Sequence, residues 1–311
     1  QNKDVTMDLT LHAKDLEGKQ FEWIGNPVSV AANLHSPTIS GVSYESLDGS
    51  LLYVDENGMA SLVLPASMSG DEFLNNVSEF VKDAMNHPYD LTDNDPQDTI
   101  TRKVTVRAKA SDGSMSDTCT VTINLRYEKM QLAPDIQELN VKIRAVNRGR
   151  RMYEIEGYTG KMGYTINSQY PDNDTATFTL ANAEDGNIIA LNKDGSYALI
   201  LPDKESTGWY GDAFDAQANA FIKEAMSHPA TKEEPYVTTK DIVLNAVSEY
   251  QDMRDSAIVR VNIIYEEVAL DKNEMTMDIR LKATGAAENP IYELTGTTVD
   301  LKSMINSGDL N

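Results

Sequence analysis

Oxygen-bearing side chains crowd one short stretch, Asp90-Leu-Thr-Asp-Asn-Asp-Pro-Gln-Asp98, which holds Asp90, Asp93, Asn94, Asp95 and Asp98. Calcium takes about six to eight hard oxygen ligands, so this loop is the candidate calcium site, although its spacing is not that of an EF-hand. The alternative is a solvated acidic loop. The corresponding stretch later in the chain, Ala230-Thr-Lys-Glu-Glu-Pro235, lacks the cluster, and a smaller one lies at Tyr170-Pro-Asp-Asn-Asp174.

Other reactive residue types are sparse. The four histidines, His12, His35, His87 and His228, are scattered without metal-ligand spacing. His87 and His228 each precede a proline at the end of a helical pattern, where a histidine serves to cap the last carbonyls. Cys119, the single cysteine, excludes an internal disulfide or a cysteine-based zinc site and reads as a small apolar strand residue. No Gly-x-Ser-x-Gly elbow or phosphate loop is present, and carboxylates are too numerous to single out an acid–base pair. Three tripeptides, beginning at Asp98, Asp174 and Asp255, are similar to the Asp-(Ser/Thr)-apolar acceptor of some bacterial O-glycosylation systems, with Thr99, Thr175 and Ser256 as acceptors. An aromatic pair, Trp209-Tyr210, stands before the second helical segment, where an exposed pair would stack on a sugar; core packing is the alternative.

Composition narrows the classes further. The 311 residues are 41% apolar and 24% charged, ordinary for folded material, and no run approaches the ~18 apolar residues of a membrane span. A net charge of -22 argues against nucleic acid, because phosphate binding needs clustered Lys and Arg. The first residues do not form a signal peptide, so either a leader was removed or the sequence starts within a longer protein.

The elements that would position these residues repeat at a spacing of ~135 residues. Val5-Thr-Met-Asp-Leu-Thr-Leu-His-Ala13 returns as Leu139-Asn-Val-Lys-Ile-Arg-Ala-Val146 and as Met275-Thr-Met-Asp-Ile-Arg-Leu-Lys-Ala283. Phe21-Glu-Trp-Ile-Gly25 matches Tyr153-Glu-Ile-Glu-Gly157 and Tyr292-Glu-Leu-Thr-Gly296. Three later blocks recur in the same order in the first two copies, the last being Val121–Tyr127 and Val259–Tyr265. The sequence thus divides into repeat 1 (1–133), repeat 2 (134–270) and the start of a third (271–311), joined by short linkers, Glu128 to Asp135 and Glu266 to Glu274. A third copy that holds only its first blocks implies that the parent chain continues.

Alternating segments such as Val104–Ala108 and Thr120–Leu125, punctuated by Asp-Gly and Asn-Gly turns, predict antiparallel strands in a β-sandwich. One segment in each repeat departs to helical spacing. Phe73, Leu74, Val77, Phe80, Val81, Ala84 and Met85 predict a helix over 71–86, with Ser69 and Glu72 as a capping box. Phe214, Ala218, Phe221, Ile222, Ala225 and Met226 predict its counterpart over 212–227. The expected fold is mostly β: tandem immunoglobulin-like sandwiches, each with one inserted amphipathic helix.

The strand-and-turn motifs Gly41–Ser46, Leu51–Gly58, Val104–Gly113 and Thr118–Ile123 resemble the group 2 bacterial immunoglobulin-like domain. The likeness covers most of repeat 1 and, more weakly, repeat 2, where Ala257 stands for Cys119; the helical insertion is a departure from that family. Such domains occur in tandem on adhesins, surface-layer proteins and enzyme stalks. The resemblance implies a non-catalytic structural segment of a larger extracellular protein on the bacterial cell surface, spacing or assembling a surface layer or fibre. Its partners would be further repeats of the parent chain and neighbouring copies, with no cofactor beyond the candidate calcium. The alternatives are an adhesin or surface-glycan-binding module, using Trp23, Trp209 and Tyr210, and the stalk of a surface enzyme.

Overall fold

The structure, a computed structural model, describes residues 4–90, 98–147, 151–169, 174–270, 275–296, 298–299 and 303–306. The first unit contains β1 (Val5–Asp15), β2 (Gln20–Ile24), β3 (Val28–Ser29), β4 (Val42–Ser46), β5 (Leu52–Val54) and β6 (Met59–Leu62). Helices α1 (Gly70–Asn76) and α2 (Glu79–Asn86) follow, then β7 (Ile100–Ala110) and β8 (Ser116–Ala133). The second unit contains β9 (Ile136–Asn147), β10 (Arg151–Glu156), β11 (Thr159–Lys161), β12 (Gly163–Asn167), β13 (Ala176–Leu180), β14 (Ile189–Leu191) and β15 (Ser196–Leu199). It continues with α3 (Lys204–Thr207), α4 (Gly211–Gln217), α5 (Ala220–Ser227), β16 (Thr238–Ser248) and β17 (Arg254–Leu270). Beyond it lie β18 (Ile279–Thr284), β19 (Ile291–Gly296) and β20 (Ser303–Asn306).

The fold is mostly β, and the two units share one topology. The strand order is β4-β7-β8-β1-β2 in the first and β13-β16-β17-β9-β10 in the second, and a single parallel bridge between Asp15 of β1 and Arg254 of β17 joins the two runs into one sheet. A small sheet, β3-β6-β5 or β11-β15-β14, covers each run. The first and last strands of each unit pair in parallel, with Leu9 opposite Leu125 and Val141 opposite Ile263, and this pairing closes the unit. Alternation supplies the core: Met7, Leu11, Val121, Ile123, Leu125 and Tyr127 point inward and are buried, as are Val141, Ile143, Val259, Val261, Ile263 and Tyr265. The glycine ending the second repeat block has a steric reason. A Cβ at Gly157 would fall 2.1 Å from the Asn140 carbonyl, and one at Gly25 would fall 2.8 Å from that of Asp8.

Four expectations need correction. Strand pairing places Ala13 opposite Phe21 and Ala145 opposite Tyr153, so Leu139 corresponds to Met7 and not to Val5. Each helical insertion is broken. Val77 (ψ 147°) ends α1, and Ser78 starts α2 by accepting from the Val81 N–H; Ala218 and Asn219 do the same between α4 and α5. Ser69 precedes α1 but makes no side-chain capping bond, so the expected capping box is absent. The helical stripe itself packs inward as expected, with Phe73, Phe80, Val81 and Ala84 in the first core and Phe214, Phe221, Ile222 and Ala225 in the second.

The largest correction concerns the linkers. Residues 128–133 continue β8 and residues 266–270 continue β17, so each closing strand runs past its own unit toward the next.

Candidate functional site

The joint between the units is built from that extra length of β8. Residues Lys129–Ala133 pair antiparallel with β12 of the second unit, Leu132 opposite Tyr164 and Met130 opposite Ile166. The side chains of Met130 and Leu132 are 0% and 1% exposed and belong to the core of the second unit. Strand β17 repeats the device at the next boundary, where Glu267–Leu270 pairs antiparallel with Asn306–Ser303 of β20. One strand therefore serves two units, with its first part closing one core and its tail entering the next sheet.

Polar groups fix the joint. The buried Asp255 carboxylate accepts the Leu132 N–H at 2.7 Å. Burial raises its pKa, partly offset by the backbone N–H donors of Leu132 and Ser256. Glu128, also buried, accepts the Gln169 N–H at 3.1 Å, and burial raises its pKa as well. At the edge, the Leu16 N–H donates to the Arg254 carbonyl at 2.8 Å and Lys14 meets Asp252 at 2.8 Å.

His12 lies on the face of β1 opposite its core residues, yet it is only 5% exposed, beside Glu128 on β8 and Glu22 on β2 in the sheet register. Neither ring nitrogen has a hydrogen-bond partner among the described residues. Burial lowers its pKa, Glu22 and Asp252 oppose that shift, and Lys14 reinforces it. In the second unit Arg144 and Glu266 occupy the positions of His12 and Glu128, and there the guanidinium Nε donates to the carboxylate at 2.8 Å. Sequence reading placed His12 among scattered histidines and treated residues 128–135 as a linker. Within residues 128–133 the regular signal is a single apolar-polar-apolar step, Met130-Gln-Leu132, set out of phase with Val121–Tyr127 by the polar pair Glu128-Lys129.

The residues singled out for chemistry sit elsewhere. Asp93, Asn94 and Asp95 lie outside the described residues, as do 170–173 of the smaller cluster. Asp98 accepts the Asp90 N–H at 2.9 Å. Among the described residues no group of three or more His, Cys, Asp or Glu is placed to hold a metal ion. Asp174 is buried and accepts the Tyr250 N–H at 2.9 Å. Of the acceptor positions, Thr175 is exposed, Ser256 is half-buried within β17, and the half-buried Thr99 accepts from Arg126 at 3.2 Å. Cys119 is half-buried against the first core. His87 and His228 stand at the ends of α2 and α5, each Nδ1 facing a carbonyl four residues back, at 2.8 and 3.2 Å.

The aromatic pair packs inward. Trp209 is only 9% exposed, its indole N–H donates to the Pro202 carbonyl at 2.9 Å, and its ring meets Tyr158 edge-on at 6.3 Å. Tyr210 is half-buried and its backbone bridges to Met152. Trp209, whose backbone stands at φ +56°, belongs to the second core.

No protein-family model matches the chain, and no curated protein matches it in sequence. Among solved structures, the chain is similar to Protocadherin Gamma B7 extracellular cadherin domains 1-4, at 8% identity and a TM-score of 0.35, covering 98% of this chain and 67% of that one. Drosophila N-cadherin EC1-4 aligns at 11% identity and a TM-score of 0.30; 91% of this chain is covered, but only 63% of that fragment. Domains 4 and 5 of the S-layer protein SbsC align at 10% identity and a TM-score of 0.20, covering 79% of this chain and 82% of that one.

Proposed function

We propose that this chain is a non-catalytic structural segment of a larger extracellular bacterial surface protein, a stiff spacer that extends or assembles a surface layer or fibre. One observation carries the reading: β8 closes the first core and then places Met130 and Leu132 in the second. A tail that is a strand of the next sheet leaves no free linker, so bending the joint means removing two apolar side chains from a core. A chain of such units transmits length and direction, which is what a spacer needs. The strong negative charge keeps neighbouring copies apart except where cations bridge them, and the loop around Asp90–Asp98 is the proposed place for calcium. Glycans at Thr99, Thr175 or Ser256 belong to the same proposal and would appear as hexose increments in the intact mass of native protein.

The test is electron cryotomography of the native cell envelope with the repeat labelled by an antibody, with and without calcium chelation. A periodic coat that carries the label supports the reading, and its loosening on chelation supports cation bridging. Label confined to the cell interior would overturn it. Sparse label on isolated protrusions would shift the role to the stalk of an adhesin or enzyme.

A further inference from the structure

The two tail pairings obey one register. Counting from the glycine that ends the second repeat block, Gly157 is followed by Tyr164–Asn167 and Gly296 by Ser303–Asn306 at the same positions. Both segments pair antiparallel with the same part of a closing strand: Tyr164 opposite Leu132 and Asn167 opposite Lys129, Ser303 opposite Leu270 and Asn306 opposite Glu267. Measured from Tyr127 and Tyr265, those partners are equivalent residues.

In the first unit the same count from Gly25 reaches Ala32–His35. This segment pairs with no strand among the described residues. Its exposure nevertheless alternates as in a strand, Ala32 and Leu34 half-buried, Asn33 and His35 exposed. A shallow depression of 150 Å³ runs beside it, lined on its far side by Val42, Ala110 and Met115.

The neighbouring end of the sandwich gives an independent observation. Hairpin register makes Met115 the counterpart of Met253, since Lys109 opposite Ser116 matches Val247 opposite Arg254. Met253 is fully buried in the core that receives Met130 and Leu132, whereas Met115 is 43% exposed. The end that β8 covers in the second unit is thus uncovered in the first.

We infer that Ala32–His35 is an acceptor edge, and that its partner is the tail of a closing strand from another unit of this kind, running antiparallel with two apolar side chains over Met115. Recognition joins backbone pairing, which fixes direction and register, to burial of alternate side chains, which selects an apolar-x-apolar tail. The inference rests on the repeat geometry and is independent of where the protein resides.

The test extends the full chain at its start with a copy of Tyr127–Leu132 placed directly before Gln1. The added tyrosine then stands ten residues before Val5, the spacing of Tyr127 to Gln137 and of Tyr265 to Met275. A matched control extension carries Asp in place of its Met and final Leu. Hydrogen exchange followed by mass spectrometry is expected to slow on the order of tenfold or more over 31–36 in the first protein relative to the control. Peroxide oxidation of Met115 is expected to slow with it, and Leu34→Pro to abolish both effects. Equal exchange over 31–36 in the two extended proteins, with β8 protected in both, overturns the inference; so does equal protection by the control extension.

Discussion

The backbone N–H of Leu132 donates to the carboxylate of Asp255 across 2.7 Å, so the tail of one closing strand is tied to the start of the next. Both groups are buried, and the N–H has no water to turn to if the acceptor is lost. Asp255→Ala is therefore expected to destabilise the second unit by about 1–3 kcal/mol, the cost of an orphaned buried donor. Asp255→Asn keeps an oxygen in place and is expected to recover most of it. Urea denaturation of both variants checks this; equal losses in the two would place the effect in the carboxylate charge.

Met130 belongs to the first unit by sequence and to the second by packing. Met130→Ala is expected to cost about 2–5 kcal/mol, as for other fully buried large-to-small changes. The cost should fall on the second unit. Trp209 lies in that core and Trp23 packs against the first, so single-tryptophan variants report the two units separately. A shift seen mainly through Trp23 would contradict the shared-core arrangement.

The joint carries two opposing pH dependences. His12 has its pKa lowered in the folded chain, so its contribution is present above the ordinary value of 6.5 and is lost as pH falls through the lowered folded value. Asp255 and Glu128 have raised folded values, so theirs is full below the ordinary 3.8 and 4.5 and is lost as pH rises through the raised values. His12→Leu removes the buried group that resists protonation, and its melting temperature is expected to fall less than that of the parent chain below pH 6.5. Asp255→Asn is expected to flatten the dependence on the acid side instead. Thermal melts at closely spaced pH values separate the two.

Sandwich, repeat and helical stripe were legible in the sequence because each rests on a periodicity: Val121, Ile123, Leu125 and Tyr127 alternate, and Phe73, Val77, Phe80, Val81 and Ala84 recur at helical spacing. The broken helix was harder to see, since Ser78 and Asn219 lie inside runs whose apolar spacing is maintained across the break. The joint was missed because a short strand tail and a linker have similar composition. Only the partner strand, Gly163–Asn167, distinguishes them, and that pairing is a tertiary fact. His12 was illegible for the same reason. Segments from outside its own repeat lie close by, with Gln169 donating to the neighbouring Glu128 and Asp252 pairing with Lys14.

Trp209 poses the last question, because an indole before a helix is what a sugar-binding platform would also offer. Here the N–H is spent on the Pro202 carbonyl, the ring meets Tyr158 at 88°, and the Lys204 ammonium lies 4.4 Å from its centroid. The ring thus contributes packing and a hydrogen bond to the second core. In a Trp23→Phe background, its emission is expected to be blue-shifted, poorly quenched by acrylamide and unchanged by a panel of surface glycans. Trp209→Ala is expected to lower stability by about 3–5 kcal/mol, as for other buried aromatic truncations. Saturable quenching by a glycan, with stability unchanged by the substitution, would return this residue to a binding role.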